Sequence, residues 1–162
     1  MKTSLSQSKR IDRWKRARHV IIIFALLVTL LDFTIFQKLT FRLSLVNVIG
    51  SSLFILGVSI RIAAIRTLGK YFLSDLTTLR NHRLIKHGIY KHIRHPAYLG
   101  SILFAIGIPL TFSSLYGFLL MLCFIPCYIY RIKLEENMLL ERFGKDYLKY
   151  MKKTKKIIPL LY

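Results

Sequence analysis

The sequence predicts an all-α, polytopic membrane bundle of about four transmembrane helices, and three observations carry that prediction. The chain has 162 residues, 54% of them hydrophobic, yet bears a formal charge of +19, a pairing that soluble domains seldom show. Its apolar residues gather into three runs, 20–36, 43–60 and 97–130. Its Lys and Arg residues all fall outside those runs.

In chain order, the basic segment 1–19 looks like the head of a secretory signal. No small-x-small cleavage site follows in 25–36, so an uncleaved anchor is expected. The runs 20–36 and 43–60 form the first two spans, short enough to call for snorkelling ends or local bilayer thinning. The run 97–130 is about twice the ~20 residues one crossing needs, so it is read as a helical hairpin. Its turn is placed at 111–117, TFSSLYG, the polar cluster just after Pro109. Pro126 is expected to bend the last span. Beyond it, 131–143 keeps a helical pattern with Leu134, Met138, Leu139 and Phe143 apolar, and Gly144 is the expected C-cap. A second short helix, 146–153, sets Tyr147 and Tyr150 on one face. The whole, 1–162, reads as a single domain with a basic N-terminus (1–19), a loop (66–95) and C-terminal helices (131–162).

Charge orients the bundle. Of 26 Lys and Arg residues, 7 precede the first run, 8 lie between Arg61 and Arg94 and 9 follow Tyr130, against only Lys38 and Arg42 between the first two runs. Both termini and the loop 66–95 are therefore expected on the cytoplasmic side. No helix-turn-helix, zinc-finger or single-strand-binding pattern accompanies the charge, so nucleic acid is not an expected partner. Anionic headgroups are, at about 1 kcal/mol per Lys or Arg near the surface.

Within the spans, Gly50 and Gly57, and Gly100 and Gly107, are each seven residues apart and so share a face, the arrangement that lets membrane helices approach closely. Asp32 and Asn47 are read as a structural polar pair at the outer interface. Cys123 and Cys127 are read as packing residues, and Trp14 and Tyr130 as interfacial anchors.

The segment 82–98, HRLIKHGIYKHIRHPAY, holds four histidines, four Lys/Arg residues and a His-Pro step immediately before an apolar run. The residue before proline is pushed out of the α region, and proline suits the first helical position. Arg94 and His95 should thus sit extended at the mouth of a helix beginning near Pro96, with the Arg94 side chain free to face a cleft. A hairpin returns the chain to the same membrane face, bringing this step close to Glu135 and Glu136. Such a cluster can bind a zwitterion, with Arg94 and the helix end taking a carboxylate and a Glu taking an ammonium. The plainer alternative for Glu135 is an i, i+4 ion pair with Arg131 on a solvated helix, worth about 0.3 to 0.5 kcal/mol. The plainer role for the histidines is contact with the membrane surface. A zinc set from His82, His87, His92 and His95 is disfavoured, because structural zinc usually involves cysteine and catalytic zinc a tighter ligand spacing, so no metal is expected.

Six motifs, LGKYF at 68–72, HRLIKHGIY at 82–90, RHPAYLG at 94–100, EENML at 135–139, FGKDYLKY at 143–150 and Pro159, appear in order around the hairpin. In these the chain resembles the isoprenylcysteine carboxyl methyltransferase family and its relatives, the phospholipid N-methyltransferases. The resemblance implies an integral membrane enzyme using S-adenosylmethionine. It assigns the cofactor pocket to His82, Leu84, Ile85, Gly88, Tyr90, His95, Pro96, Tyr98 and Glu136, with Glu135 beside them, and implies catalytic roles for Arg94 and Glu135. The chain has Lys153 where the family has an arginine, and a lysine does not reproduce a bidentate fork. The expected reaction is direct displacement at a sulfonium methyl, on a lipophilic acceptor entering sideways from the bilayer. A carboxylate acceptor needs no general base; an amine, thiol or phenol would call on Glu135, Glu136 or a histidine.

Three alternatives stand beside this reading. One is phospholipid N-methyltransferase-like activity. Another is a nicotinamide-dependent enzyme resembling the sterol reductases, whose pattern usually has Asn before the tyrosine where this chain has Ala97. The third is a non-enzymatic membrane protein. The expected location is a membrane with the site on its cytoplasmic face, and the Lys- and Ile-rich composition points to a bacterial inner membrane.

Overall fold

The computed structural model describes residues 20–36, 44–71 and 84–157. Its elements, in order, are α1 (Val20–Ile35, closing in a π-helical turn at Asp32–Phe36), α2 (Leu45–Leu68), α3 (Pro96–Thr111), α4 (Leu115–Leu122), α5 (Ile125–Phe143) and α6 (Lys145–Lys153). Short 3-10 turns cover Gly69–Tyr71 and Gly88–Lys91. Among the described residues there is no strand, only one isolated bridge between Ile93 and Lys155.

Helices Leu45–Leu68 and Leu115–Phe143, the latter joining α4 and α5, are long and apolar enough to cross a membrane. Val20–Ile35 and Pro96–Thr111 are apolar but shorter. Only 17% of the most apolar window of α2 is buried, and Leu45, Ile55, Phe24 and Leu115 are each more than half exposed. So large an apolar surface left open is what lipid would cover.

Sequence sets each helix boundary. Ser44 caps α2 in a capping box, its hydroxyl accepting from the Asn47 N–H while the Asn47 side chain accepts from the Ser44 N–H at 2.9 Å. α2 then runs past the expected end at Ile60 to Leu68, because Arg61 does not stop it. That guanidinium turns onto α3, donating to the Ala97 carbonyl at 3.3 Å and to the Ser101 hydroxyl, so the connecting segment starts later than expected. The hairpin turn falls at Phe112–Ser114, inside the predicted 111–117, and Ser114 opens α4 by accepting from the Gly117 N–H at 3.1 Å. The bend expected at Pro126 appears as a break at Cys123–Phe124, since proline offers no N–H to the carbonyl one turn back. Both cysteines are unpaired thiols. Gly144, with φ +48°, ends α5, its N–H donating to Leu140 O at 2.8 Å.

The expected glycine seam between α2 and α3 forms. A methyl group at Gly100 would lie 2.6 Å from Gly57 O, and one at Gly107 would lie 2.5 Å from Phe54 N. Gly50 abuts the backbone of Thr111 and Leu110, and Gly57 that of Phe104. A second cluster, Ala25, Ala105 and Met121 with Phe104 and Leu120, ties α1, α3 and α4 together.

The expected Asp32–Asn47 pair is not how Asn47 is used. Its oxygen serves Ser44, and its two N–H groups go to Thr111 O and Ser113 Oγ, both at 2.8 Å. Its donors are then fully used, and they pin α2 to the hairpin turn. Trp14 lies outside the described residues; Tyr130 is 47% exposed.

Candidate active site

The site is assembled where the start of α3, the middle of α5 and the end of α6 meet. Because His95 precedes proline it stays out of the helical region (φ −125°, ψ 55°), and Pro96 begins α3. The extended residues pair with the chain beyond α6: Arg94 N–H donates to Lys155 O at 2.8 Å, His95 N–H to Lys156 O at 3.1 Å, and Lys155 N–H to His92 O at 3.0 Å. The His-Pro step is thereby clamped to the C-terminal segment. Above it, the 3-10 turn Gly88–Lys91 buries Tyr90, and the Tyr150 hydroxyl donates to Tyr90 O at 2.6 Å.

At the centre of the junction Glu136 takes three basic groups. Its Oε1 accepts from Arg94 Nε at 2.9 Å and lies 3.3 Å from His95 Nε2, while its Oε2 lies 3.3 Å from Lys156 Nζ. The sequence-based expectation that His95, Tyr98 and the glutamates converge is met in this geometry. The expectation of an Arg94 side chain free to face a cleft is not. Its side chain is 8% exposed, with Nη1 donating to Met151 O at 3.0 Å and to Thr154 O. A guanidinium is drawn to the carbonyls left unpaired at a helix end, and the last turn of α6 supplies them.

Glu135 has a different environment. Tyr98 donates its hydroxyl to Glu135 Oε2 at 2.8 Å and accepts from Arg131 Nε at 2.8 Å. Tyr98 also stacks edge-on with His95 and Tyr128. The solvated Arg131–Glu135 pair is thus replaced by a relay through Tyr98, and Arg131 is 4% exposed. Among the described residues Tyr98 is the hydrogen-bond partner of Glu135.

Burial governs the phenols around this junction. It pushes Tyr150 up to about 12, and Tyr90 and Tyr147 further, with the Glu135 charge acting in the same direction on Tyr90 and the Glu136 charge on Tyr147. All three stay protonated. Tyr147 is 1% exposed, and among the described residues its hydroxyl has no hydrogen-bond partner.

Of the remaining residues singled out in the sequence, Leu84 and Ile85 are half-buried beside the turn, and Gly88 sits at φ +58° against Thr67. Pro96 is fully buried. His82 lies outside the described residues. His87 and His92 are exposed while His95 is buried, and among the described residues no three potential metal ligands cluster. Sequence reasoning missed Arg61, Arg131 and Thr154 as members of the junction. Only the position of Arg131, one turn before Glu135, was a signal for it.

Known proteins share this sequence pattern and helical frame. Residues 48–141 match the profile of the isoprenylcysteine carboxyl methyltransferase family. The chain is 34% identical to the protein-S-isoprenylcysteine O-methyltransferase of Saccharomyces cerevisiae, over 85% of this chain and 61% of that protein. It is 31% identical to a probable protein-S-isoprenylcysteine O-methyltransferase of Oryza sativa, over 85% of this chain and 73% of that protein. A solved structure of the eukaryotic intramembrane Ras methyltransferase, isoprenylcysteine carboxyl methyltransferase, superposes with a TM-score of 0.73 at 28% identity, over 90% of this chain and 53% of that one. The chain therefore spans about half to three quarters of the length of these relatives. They are eukaryotic and lend no support to the bacterial inner membrane expected from composition. With a profile match over more than half its length and the same helical frame, this chain belongs to the isoprenylcysteine carboxyl methyltransferase family.

Proposed function

We propose that the chain transfers a methyl group from S-adenosylmethionine to the carboxylate of a lipophilic acceptor of the S-isoprenylcysteine kind, in a site on the cytoplasmic face of a four-span bundle. The observation that carries this reading is the Tyr98–Glu135–Arg131 relay, a half-buried carboxylate and a buried guanidinium held on one phenol where α3 and α5 reach the junction. The distribution of Lys and Arg supports the sidedness.

The residues present fit the methyl donor. It presents an ammonium, a carboxylate, two ribose hydroxyls and an adenine. The junction offers Glu135, the N-terminus of α3 and the rings of Tyr90 and Tyr98. In this reading Leu84, Ile85, Gly88, Tyr90, His95, Pro96, Tyr98 and Glu135 line the donor pocket. Bound there, the donor supplies an electrophilic methyl on a sulfonium.

The protein's own work is positioning. An acceptor carboxylate is ionised at neutral pH, so no side chain has to remove a proton. Arg131, buried in the first half of α5, is placed to orient that carboxylate. Arg94 and Glu136 are positioning residues, since their mutual bond and the α6 carbonyls fix the His95–Pro96 turn on which Tyr98 stands. Exclusion of water by the apolar helices makes alignment in a dry site effective, and alignment of this kind can supply about 7 to 11 kcal/mol of the barrier.

The test is transfer of labelled methyl from S-adenosylmethionine by the purified chain in lipid vesicles containing an S-farnesyl cysteine carboxylate. A base-labile methyl ester is the expected product. Label appearing only as base-stable methyl on phospholipid amine would replace the carboxylate with a lipid headgroup, and no transfer to either would refute the reading.

A further inference from the structure

From Gly144 the chain doubles back along α5. Lys156 Nζ reaches Glu136 Oε2 at 3.3 Å, Arg94 Nη1 donates to Met151 O at 3.0 Å, and His95 N–H donates to Lys156 O at 3.1 Å. The last turn of α6 is therefore held level with Pro96, where apolar α3 begins. Tyr147, Tyr150 and Thr154 face inward from α6 and are buried. Its outer stripe, spaced at three and four residues, is Lys145, Leu148, Lys149 and Lys152, all exposed, with Lys153 and Lys155 exposed beside it. The turn Gly88–Lys91 extends this surface: Tyr150 donates to Tyr90 O, Lys155 N–H donates to His92 O, and Lys86 and Lys91 are exposed. Across 84–93 and 145–157 the only acidic residue is Asp146.

We infer that this basic platform, the outer face of α6 together with the turn Gly88–Lys91, docks the anionic headgroups of the membrane in which the chain sits. Among the described residues none of these lysines is engaged in an ion pair, so their charge is available to a partner. Leu148, 46% exposed in the middle of the stripe, sets this surface apart from an ordinary solvated face. Lysines around an exposed leucine are the pattern of a helix lying in the interface, where the apolar side chain enters the acyl boundary and the cations stay with the phosphates. An acidic protein segment would match the charge but not the level, because the platform lies beside the start of an apolar helix, where lipid fills the space. The inference rests on the membrane placement of the helices and not on the reaction proposed above. It also bears on the site: the carbonyls that hold Arg94 belong to this same helix, so headgroups bound to its outer face steady the clamp on the His95–Pro96 step.

The test uses the full chain in an uncharged detergent, as wild type and as a variant carrying Lys91→Gln, Lys149→Gln and Lys152→Gln. These side chains are exposed, so the variant keeps its fold. Binding of added phosphatidylglycerol and of phosphatidylcholine is read from native mass spectra, and the unfolding midpoint is measured with and without each lipid. Phosphatidylglycerol is expected to bind the wild type more tightly than phosphatidylcholine, to weaken with added salt and to raise the midpoint. In the variant its affinity should fall at least about tenfold and the rise in midpoint should shrink, with phosphatidylcholine binding unchanged. Equal phosphatidylglycerol affinity in wild type and variant, or equal affinity of the wild type for the two lipids, would overturn the assignment. So would binding of polyglutamate where phosphatidylglycerol does not bind, which would put an acidic protein partner in place of lipid. None of these readouts involves methyl transfer, so failure here leaves the proposed reaction standing, and absence of transfer leaves the docking surface standing.

Discussion

The seam between α2 and α3 and the junction of α3, α5 and α6 hold the same helix, α3, by opposite means. Along the seam, glycine removes side chains so that backbones touch, and what stabilises it is close contact over a length of helix. At the junction, charged and phenolic side chains bridge α3, α5 and the end of α6. The seam is insensitive to chemistry and intolerant of volume. The junction tolerates little change of charge, and it is where a polar ligand can be recognised. Within the junction the contrast repeats on adjacent residues: Glu136 is saturated by three basic groups, whereas Glu135 has Tyr98 as its described partner.

Breaking the junction should have the largest effect. Glu136→Ala leaves buried Arg94 without its carboxylate, and denaturant titration should show a loss of about 3 to 5 kcal/mol. A loss under 1 kcal/mol would mean the cluster is solvated and the scaffold role is wrong. Next in size is the seam: Gly57→Ala places a methyl against the Phe104 backbone and Gly100 O. Helix separation should cost about 1 to 3 kcal/mol. An unchanged midpoint would show that α2 and α3 are not in backbone contact.

Arg94→Lys sharpens the comparison, since it keeps the charge and loses the fork that reaches both Glu136 and the α6 carbonyls. The unfolding midpoint should fall, and donor affinity measured well below that midpoint should stay near wild type. A selective loss of donor affinity would instead return Arg94 to the ligand. The smallest effect belongs to the outer end: Asn47→Ala removes the capping box of α2, at about 1 kcal/mol, and should leave donor binding untouched.

The frame was more legible in the sequence than the site. A run about twice the length of one crossing, broken by TFSSLYG after Pro109, leaves a hairpin as its simplest reading, and glycines seven apart mark the seam. The hairpin in turn places His95 near Glu136 from the sequence alone. Other features depend on partners that no local pattern encodes. Arg94 was read as open to a cleft, but its carbonyl acceptors come from Met151 and Thr154, some 57 and 60 residues away. Backbone carbonyls are present at every residue and so leave no mark in a sequence. Arg61 was read as the end of α2 because charge usually ends an apolar span; the Ser101 hydroxyl and Ala97 carbonyl that accept it lie on another helix. Arg131 has the spacing of a surface ion pair with Glu135, and only the insertion of Tyr98 between them turns it inward.

The central claim, that the seam and the Glu136 hub hold the fold while Glu135 meets the ligand, is tested most directly by Glu135→Gln. Equilibrium binding of labelled S-adenosylmethionine is measured beside the unfolding midpoint of the unliganded protein. The account predicts donor binding at least tenfold weaker, the scale of a lost charged hydrogen bond of about 1.5 to 3 kcal/mol, with the midpoint within a degree or two of wild type by the usual conversion of small stability changes. Unchanged donor affinity, or a drop in midpoint as large as that of Glu136→Ala, would contradict it.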